Sequence, residues 1–202
     1  TDPNNEKLRA KLIELHIKLS EYAAATSELE KLPKSDKKSL LEIQLMYALW
    51  LANDAKKDDR FEELSLKVGA LKNWNEQILN IAKALGLHAK VALYYQQNAH
   101  PLLAADYWLS AGEPAKALAI YKNNINADIA PKAITTALGA NNPEQAYAWW
   151  KTYGDSTNIK RTLYLANLAG NTQDAASAIE NLLKQEPNNN EYLTKAMYLR
   201  LA

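Results

Sequence analysis

Cysteine is absent from this sequence of 202 residues, and histidine, glycine and proline are scarce. A chain without thiols has no disulfide bond, no thiol nucleophile and no cysteine-ligated zinc site. The histidines, His16, His88 and His100, are far apart, and none lies at helical ligand spacing from another. A metal site would have to be assembled from distant segments.

The glycines and the acidic residues form no catalytic motif either. All six glycines are single residues, so the glycine-rich loop that binds a phosphate group is missing. In the charged run from Asp54 to Glu63 the acidic pairs adjoin basic residues, which indicates a solvated loop and helix start rather than a general acid and base. We therefore predict that the protein is not an enzyme and holds no metal and no cofactor.

Neither sign of charge dominates the sequence. Lysine and arginine total 24 and aspartate and glutamate 23, and the basic runs are short, which argues against a nucleic-acid partner. No apolar run approaches the length of a membrane span, and the first residues do not resemble a signal peptide. Because the chain begins with Thr1 rather than Met, we expect processing or excision from a longer protein, and a removed secretion signal stays possible.

What is abundant is helix-forming sequence. The chain is 48% hydrophobic and 23% charged, and no segment alternates apolar and polar residues as a strand would. We predict an all-α fold that forms a single domain over residues 1–202.

The stretch from Thr157 to Asn189 shows one complete pair of helices. Apolar residues recur at the three-and-four spacing of a helix face, first before Gly170 and again between Asn171 and Pro187. Gly170 predicts a left-handed helix stop, and Asn171 predicts the N-cap of the second helix. The two faces comprise Ile159, Leu163, Ala166 and Ala169, then Ala175, Ala178, Ile179, Leu182 and Leu183.

This stretch resembles a tetratricopeptide repeat (TPR). Ala175, Ile179 and Pro187 match the spacing of the family's small residue, bulky residue and closing proline. The segment 170–175 resembles its Gly-Asp-x-x-x-Ala turn, and the segment 186–189 resembles its Asp-Pro-Asn-Asn end. The first helix departs from the pattern, since Trp, Leu, Gly and Tyr are replaced by Ile159, Thr162, Leu163 and Ala166.

Looser copies of the small and bulky pair recur along the chain. The small residues are separated by 26, 29 and 29 residues, less than the family's usual repeat of about 34. Pro114 and Pro143 each lie where a second helix should begin. We expect about six antiparallel hairpins plus one terminal helix, and the resemblance implies a right-handed α-solenoid. The pairs are Val91 and Tyr95, Ala117 and Tyr121, Ala146 and Trp150, and Ala175 and Ile179.

Both ends of the sequence suggest continuation. The segment 1–5 resembles the end of a preceding repeat, and the last helix, with Leu193 and Met197, lacks the polar face that closes a solenoid. We expect the natural protein to precede Thr1 and to continue beyond Ala202. In isolation, the last helix should be covered by a second copy or be poorly ordered.

The first helix is expected to pack inward through Leu8, Leu12, Leu15 and Leu19.

Aromatic doublets are the first candidates for a binding surface. They occur at 94–95, 107–108 and 149–150, and adjacent helical residues point about 100 degrees apart. If the second member of each doublet faces the core, Tyr107 and Trp149 lie nearer the surface. Such rings either pack between neighbouring hairpins or form a partly exposed ladder for a peptide or a sugar polymer.

The resemblance supplies the other candidates, because the family's groove is lined by the first helix of each hairpin. Two of these positions depart from the family's carboxylate clamp, since Tyr164 replaces an Asn and Glu191 replaces a Lys. Capture of a C-terminal carboxylate is therefore not expected. The groove residues are Asp106, Thr135, Lys160, Tyr164 and Asn167, followed by Glu191 and Lys195.

The leading hypothesis is a non-catalytic scaffold that binds a protein segment or a neighbouring domain on its concave face. The alternative, which rests on analogy and on the aromatic residues, is a periplasmic TPR-like module of a bacterial exopolysaccharide export system, in contact with polymer or partner enzymes. The periplasm and the cytoplasm of a bacterium both stay open, because the lack of cysteine suits either.

Overall fold

A computed structural model describes residues 3–52 and 59–201, and these ranges contain thirteen α-helices and no strand. The all-α prediction is confirmed. The expectations for residues 1–2 and 54–58 lie outside the described residues. The helices are α1 (Pro3–Lys18), α2 (Tyr22–Glu30), α3 (Asp36–Ala52), α4 (Asp59–Ala70), α5 (Glu76–Ala84), α6 (His88–Gln97), α7 (Pro101–Ser110), α8 (Pro114–Asn124), α9 (Ala130–Gly139), α10 (Pro143–Tyr153), α11 (Ile159–Leu168), α12 (Thr172–Gln185) and α13 (Asn190–Leu201).

Short polar signals set several helix boundaries. The side-chain oxygen of Asn142 accepts a hydrogen bond from the backbone N–H of Gln145 at 3.1 Å, and Asn171 accepts from Asp174 at 2.9 Å. These caps satisfy donors that the first helical turn leaves free. Gly170, with φ of 67°, ends α11 in the left-handed conformation that its position in the sequence predicted.

The chain divides into two compact units, residues 1–94 and 95–202. In the first unit α1 and α2 pack against each other and against α3, which also contacts α4 and α5. In the second unit each helix from α7 to α12 packs against the helix that follows it. This consecutive packing is compatible with a helical repeat.

Alanines occupy the contacts between helices in the second unit. Ala117, Ala146 and Ala175, the small residues of the predicted pairs, are fully buried, and Tyr121 and Ile179 are buried four residues after two of them. A methyl side chain lets neighbouring backbones approach, while the bulky residue one turn later fills the space beside it. The predicted orientation of α8 and α12 is therefore confirmed.

The N-terminal helix differs from the expectation in two ways. Its leucines at positions 8, 12, 15 and 19 point outward and are between 40 and 68% exposed. The inward face instead consists of Ala10 and Ile13, which pack with buried residues of α2 and α3. Since α1 has an apolar stripe on each side, spacing alone did not show which one is buried. In addition, α1 begins at Pro3, so Pro3 to Asn5 form its first turn.

The last helix exposes much of its apolar surface. Tyr192 is buried, whereas Leu193, Met197 and Tyr198 are exposed. Helix α13 packs against α12, and its side with Leu193, Met197 and Tyr198 lies in solvent.

The buried alanines lead to a prediction about stability. Ala146→Trp or Ala175→Trp should each lower the free energy of unfolding by about 1 to 3 kcal/mol, because the larger ring overpacks a contact that has room only for a methyl group. Gln173 is exposed on the same helix as Ala175. Gln173→Trp should therefore change stability by less than about 0.5 kcal/mol in urea denaturation. Equal losses at these positions would contradict the observed orientation of α12.

The apolar surface of α13 leads to a prediction about association. We expect the isolated chain to form a dimer through this helix, because burying Leu193 and Met197 removes exposed apolar area. The double change Leu193→Glu and Met197→Glu should shift the molar mass measured by light scattering to that of a monomer. Thr194→Glu, on an exposed position of the same helix, serves as the control. A monomer before any change would contradict the expectation.

Candidate functional site

Helices α11 and α13 line a cleft of about 470 Å³ in the second unit. The spacing of 160, 164 and 167 places three residues on one face of α11, and 191 and 195 lie on one face of α13. Helix α12 packs against both helices and contributes buried Leu182. The lining residues are Lys160, Leu163, Tyr164, Asn167, Leu168, Leu182, Glu191, Tyr192 and Lys195. The cleft thus brings together five of the predicted groove residues, whose role in binding stays a prediction.

The accessible apolar part of the cleft is formed by α11. Tyr164 is 51% exposed, and Leu168, one turn later, is also exposed. The guanidinium carbon of Arg161 lies 5.9 Å from the centre of the Tyr164 ring, within the range of a cation–π contact. A half-exposed ring beside an aliphatic residue offers contact area without the cost of opening the core.

The charged part of the cleft is balanced. Lys160 Nζ lies 3.6 Å from Glu186, and a hydrogen bond with the Tyr192 hydroxyl is the main reason that the pKa of Lys160 is raised. Lys195 donates to Glu191 at 2.6 Å, and this bond holds the pKa of Glu191 below its usual value. Both cations already have an acidic neighbour, which makes the cleft a poor trap for a free carboxylate.

Two predicted groove residues, Asp106 and Thr135, lie elsewhere in the second unit. The carboxylate of Asp106 accepts hydrogen bonds from Lys132 and, at 3.4 Å, from the Tyr121 hydroxyl, so it links α7 to α8 and α9. The Thr135 hydroxyl donates to the backbone oxygen of Pro131 at 3.0 Å, within α9. Neither residue lines the cleft between α11 and α13.

The aromatic doublets follow the prediction in one helix and contradict it in another. In α7, Trp108 is buried and Tyr107 is partly exposed, with its ring stacked on Tyr95 at a centroid distance of 5.5 Å. In α10 the order is reversed, because Trp149 is buried and Trp150 is partly exposed.

The reversal in α10 has a physical reason. Both α9 and α11 pack against α10, so its buried arc is wide enough to include Trp149. Trp150 lies at the edge of that arc, where its indole N–H donates to the hydroxyl of Thr162 on α11 at 3.0 Å. A partly buried indole is stabilised in this position because its N–H has a hydrogen-bond partner. Trp149 is therefore not a surface residue.

A second cleft, of about 320 Å³, lies between α10, the start of α11 and α12. Its polar centre is Asp174, whose carboxylate accepts hydrogen bonds from the Tyr147 hydroxyl at 2.7 Å, from Lys151 at 2.9 Å and from the Asn171 amide at 3.1 Å. Asp174 lies in the first turn of α12 and was not among the predicted site residues. Nothing in the sequence links it to Tyr147, which lies 27 residues earlier.

The hydrogen bonds around Asp174 shift the pKa values of Asp174 and of Tyr147. The bond from Lys151, followed by that from Tyr147, holds the pKa of Asp174 below its usual value. Burial, assisted by the bond to Asp174, raises the pKa of Tyr147 to about 12. The arrangement ties α10 to α12 and needs no ligand to satisfy it.

Two other kinds of site are absent from the described residues. No group of three or more histidine, aspartate or glutamate side chains there is placed to hold a metal ion. In the same residues, no helix is both long enough and apolar enough to cross a membrane.

The Asp174 cluster predicts a dependence of stability on pH. Because the pKa of Asp174 in the folded protein lies below its ordinary value of 3.8, the ionised carboxylate stabilises the fold above that value, and the stabilisation is lost as pH falls through the folded pKa. The native chain should therefore be more stable than Asp174→Asn at neutral pH, and the difference should shrink in acid. A difference that is constant across this range, measured by urea denaturation, would contradict the electrostatic explanation.

Comparison with known proteins adds no assignment to this geometry. No protein-family model matches the chain, and no significant match was found among curated proteins or solved structures. Any function must therefore be argued from the residues themselves.

Proposed function

We propose that this protein is a non-catalytic scaffold that binds a segment of a partner protein, or a neighbouring domain, in the cleft between α11 and α13. In this proposal the consecutive helices form a right-handed α-solenoid of TPR-like hairpins, and the cleft is part of its concave face. The observation that carries the proposal is the meeting of Lys160, Tyr164, Asn167, Glu191 and Lys195 in one cleft. The resemblance to the tetratricopeptide family implies that these positions line a binding groove.

The chemistry of the cleft favours a peptide with an apolar anchor. Tyr164 and Leu168 supply an accessible apolar surface, and a tyrosine loses few rotamers when it is covered. The exposed amide of Asn167 can both donate to and accept from an extended backbone. Because the lysines of the cleft are paired with acids, we expect little selection for a charged side chain at its centre.

A sugar polymer is the second candidate, and with it the role of a periplasmic module in exopolysaccharide export. It is favoured by neighbouring rings in the first unit, where the Trp50 ring stacks on Tyr47 at 5.7 Å and lies tilted to Phe61 at 5.8 Å between centroids. Phe61 is 39% exposed, so part of its side chain is accessible to a sugar ring. Of the two aromatic residues predicted to contact a polymer, Trp149 is buried and therefore not accessible, whereas Tyr107 is partly exposed.

Photo-cross-linking distinguishes the two candidates. We expect benzoyl-phenylalanine at position 164, in the full chain and in the cells that naturally produce it, to give a protein adduct of defined mass. The same group at the exposed position 173 of α12 is the control and should give none. Adducts at both positions, or none at 164, would contradict a specific cleft. A fluorescence response of Trp50 to an oligosaccharide would favour the second candidate.

Truncation of the tyrosine separates binding from folding. Tyr164→Ala should abolish the cross-linked partner's binding while changing the free energy of unfolding by less than about 1 kcal/mol, because the side chain is half exposed. The neighbouring Leu165 is fully buried, so Leu165→Ala should cost about 2 to 5 kcal/mol. If Tyr164→Ala destabilises the chain as much as Leu165→Ala does, Tyr164 is a core residue and the proposed cleft is wrong.

A further inference from the structure

Helix α1 carries an apolar row on its outer side that the fold does not use. The row, which we name the leucine stripe, consists of Leu8, Leu12, Leu15 and Leu19, all exposed. Helical hydrogen bonding reaches its last member, because the N–H of Leu19 donates to Leu15 at 2.9 Å. The stripe therefore forms a straight apolar line about 16 Å long.

Packing of the first unit does not account for the stripe. The opposite side of α1, with Ala10, Ile13 and Ile17, makes the contacts with the buried cluster that includes Ala25 and Leu41. Single exposed leucines are common on protein surfaces, but four that adjoin along one helix form a contiguous apolar patch. Such a patch marks an interaction surface.

The two edges of the stripe differ in charge. On one edge lie Lys7, Lys11 and Lys18, all exposed and without an acidic partner among the described residues. On the other edge the basic groups are paired, since Arg9 bonds to Glu28 at 2.7 Å and His16 to Glu21 at 2.6 Å. The surface is thus an apolar line beside a row of free positive charges.

We propose that the leucine stripe docks an acidic amphipathic helix of a partner protein. The spacing of four, three and four residues is that of the apolar seam between two packed helices. Such a seam holds one partner helix through its own apolar row. Carboxylates beside that row would lie opposite Lys11 and Lys18, which supplies the charge complementarity that sets partner and orientation.

Charge argues against the other occupants of the stripe. In a pair of identical α1 helices the lysine edge would face either another lysine edge, where like charges meet, or the edge with Arg9 and His16, where Glu28 and Glu21 are already engaged and leave the lysines no free carboxylate. A membrane surface is favoured by a broad apolar face with basic residues on both sides. Here the apolar arc spans only about 60 degrees, and contacts with Glu28 and Glu21 already engage Arg9 and His16 on one edge.

The test uses two synthetic helical peptides with leucines at the same four-three-four spacing, one flanked by glutamates and the other by lysines. Titrated with the full chain in fluorescence anisotropy, the acidic peptide should bind with a dissociation constant of about 10 μM or tighter, and the basic peptide at least about tenfold more weakly. Lys11→Glu with Lys18→Glu should reverse this preference. Leu12→Ser with Leu15→Ser should abolish binding of both peptides without lowering the thermal midpoint.

Leu66→Ser is the matched control, because Leu66 is 68% exposed on α4 in the same unit but outside the stripe. It should leave binding of the acidic peptide unchanged. Equal binding of both peptides, no binding of the acidic one, or an equal loss with Leu66→Ser would overturn the proposal. It would also be overturned by a dimer of the chain that Leu12→Ser dissociates, or by binding to anionic lipid vesicles in place of the acidic peptide.

Discussion

The close approach of neighbouring helices at alanine is the constraint on which the second unit depends. Five alanines are fully buried, and each lies in a different helix: Ala104, Ala133, Ala146, Ala166 and Ala175. A helix of ten or eleven residues, such as α7 or α10, is too short to be stable alone in water. It persists because its methyl-lined face brings the next backbone within packing distance. The main packing contacts of each helix from α7 to α12 include the helix that follows it, so stability accumulates along the chain.

The same packing positions the candidate cleft. Helix α12 buries Ala175, Ile179 and Leu182 and contacts both α11 and α13, so it holds these two helices on either side of the cleft. Ion pairs such as that between Lys195 and Glu191 lie at its surface, where they contribute little to stability. Their larger effect is on ligand charge, because each lysine already has an acidic neighbour and attracts a free carboxylate less strongly.

Much of this architecture was predictable because it depends on local chemistry. The caps at Asn142 and Asn171, the helix stop at Gly170 and the buried alanines each follow from a few adjacent residues. The groove positions on α11 and α13 follow from helical spacing and from the resemblance. What failed was the choice between two apolar faces, in α1 and again at Trp149, because that choice depends on which neighbours pack against the helix. The bond between Tyr147 and Asp174 joins residues with no pattern in common and was not predictable.

The most direct test of this account is the solvent accessibility of individual alanine methyl groups, measured by nuclear magnetic resonance as relaxation caused by a soluble paramagnetic chelate. The account predicts that the methyls of Ala133, Ala146 and Ala175 are unaffected, whereas those of Ala119 and Ala148, on the outer faces of α8 and α10, relax rapidly. Equal relaxation of the two groups would show that the helices do not meet at their alanines, and would contradict both the packing and the cleft that it positions.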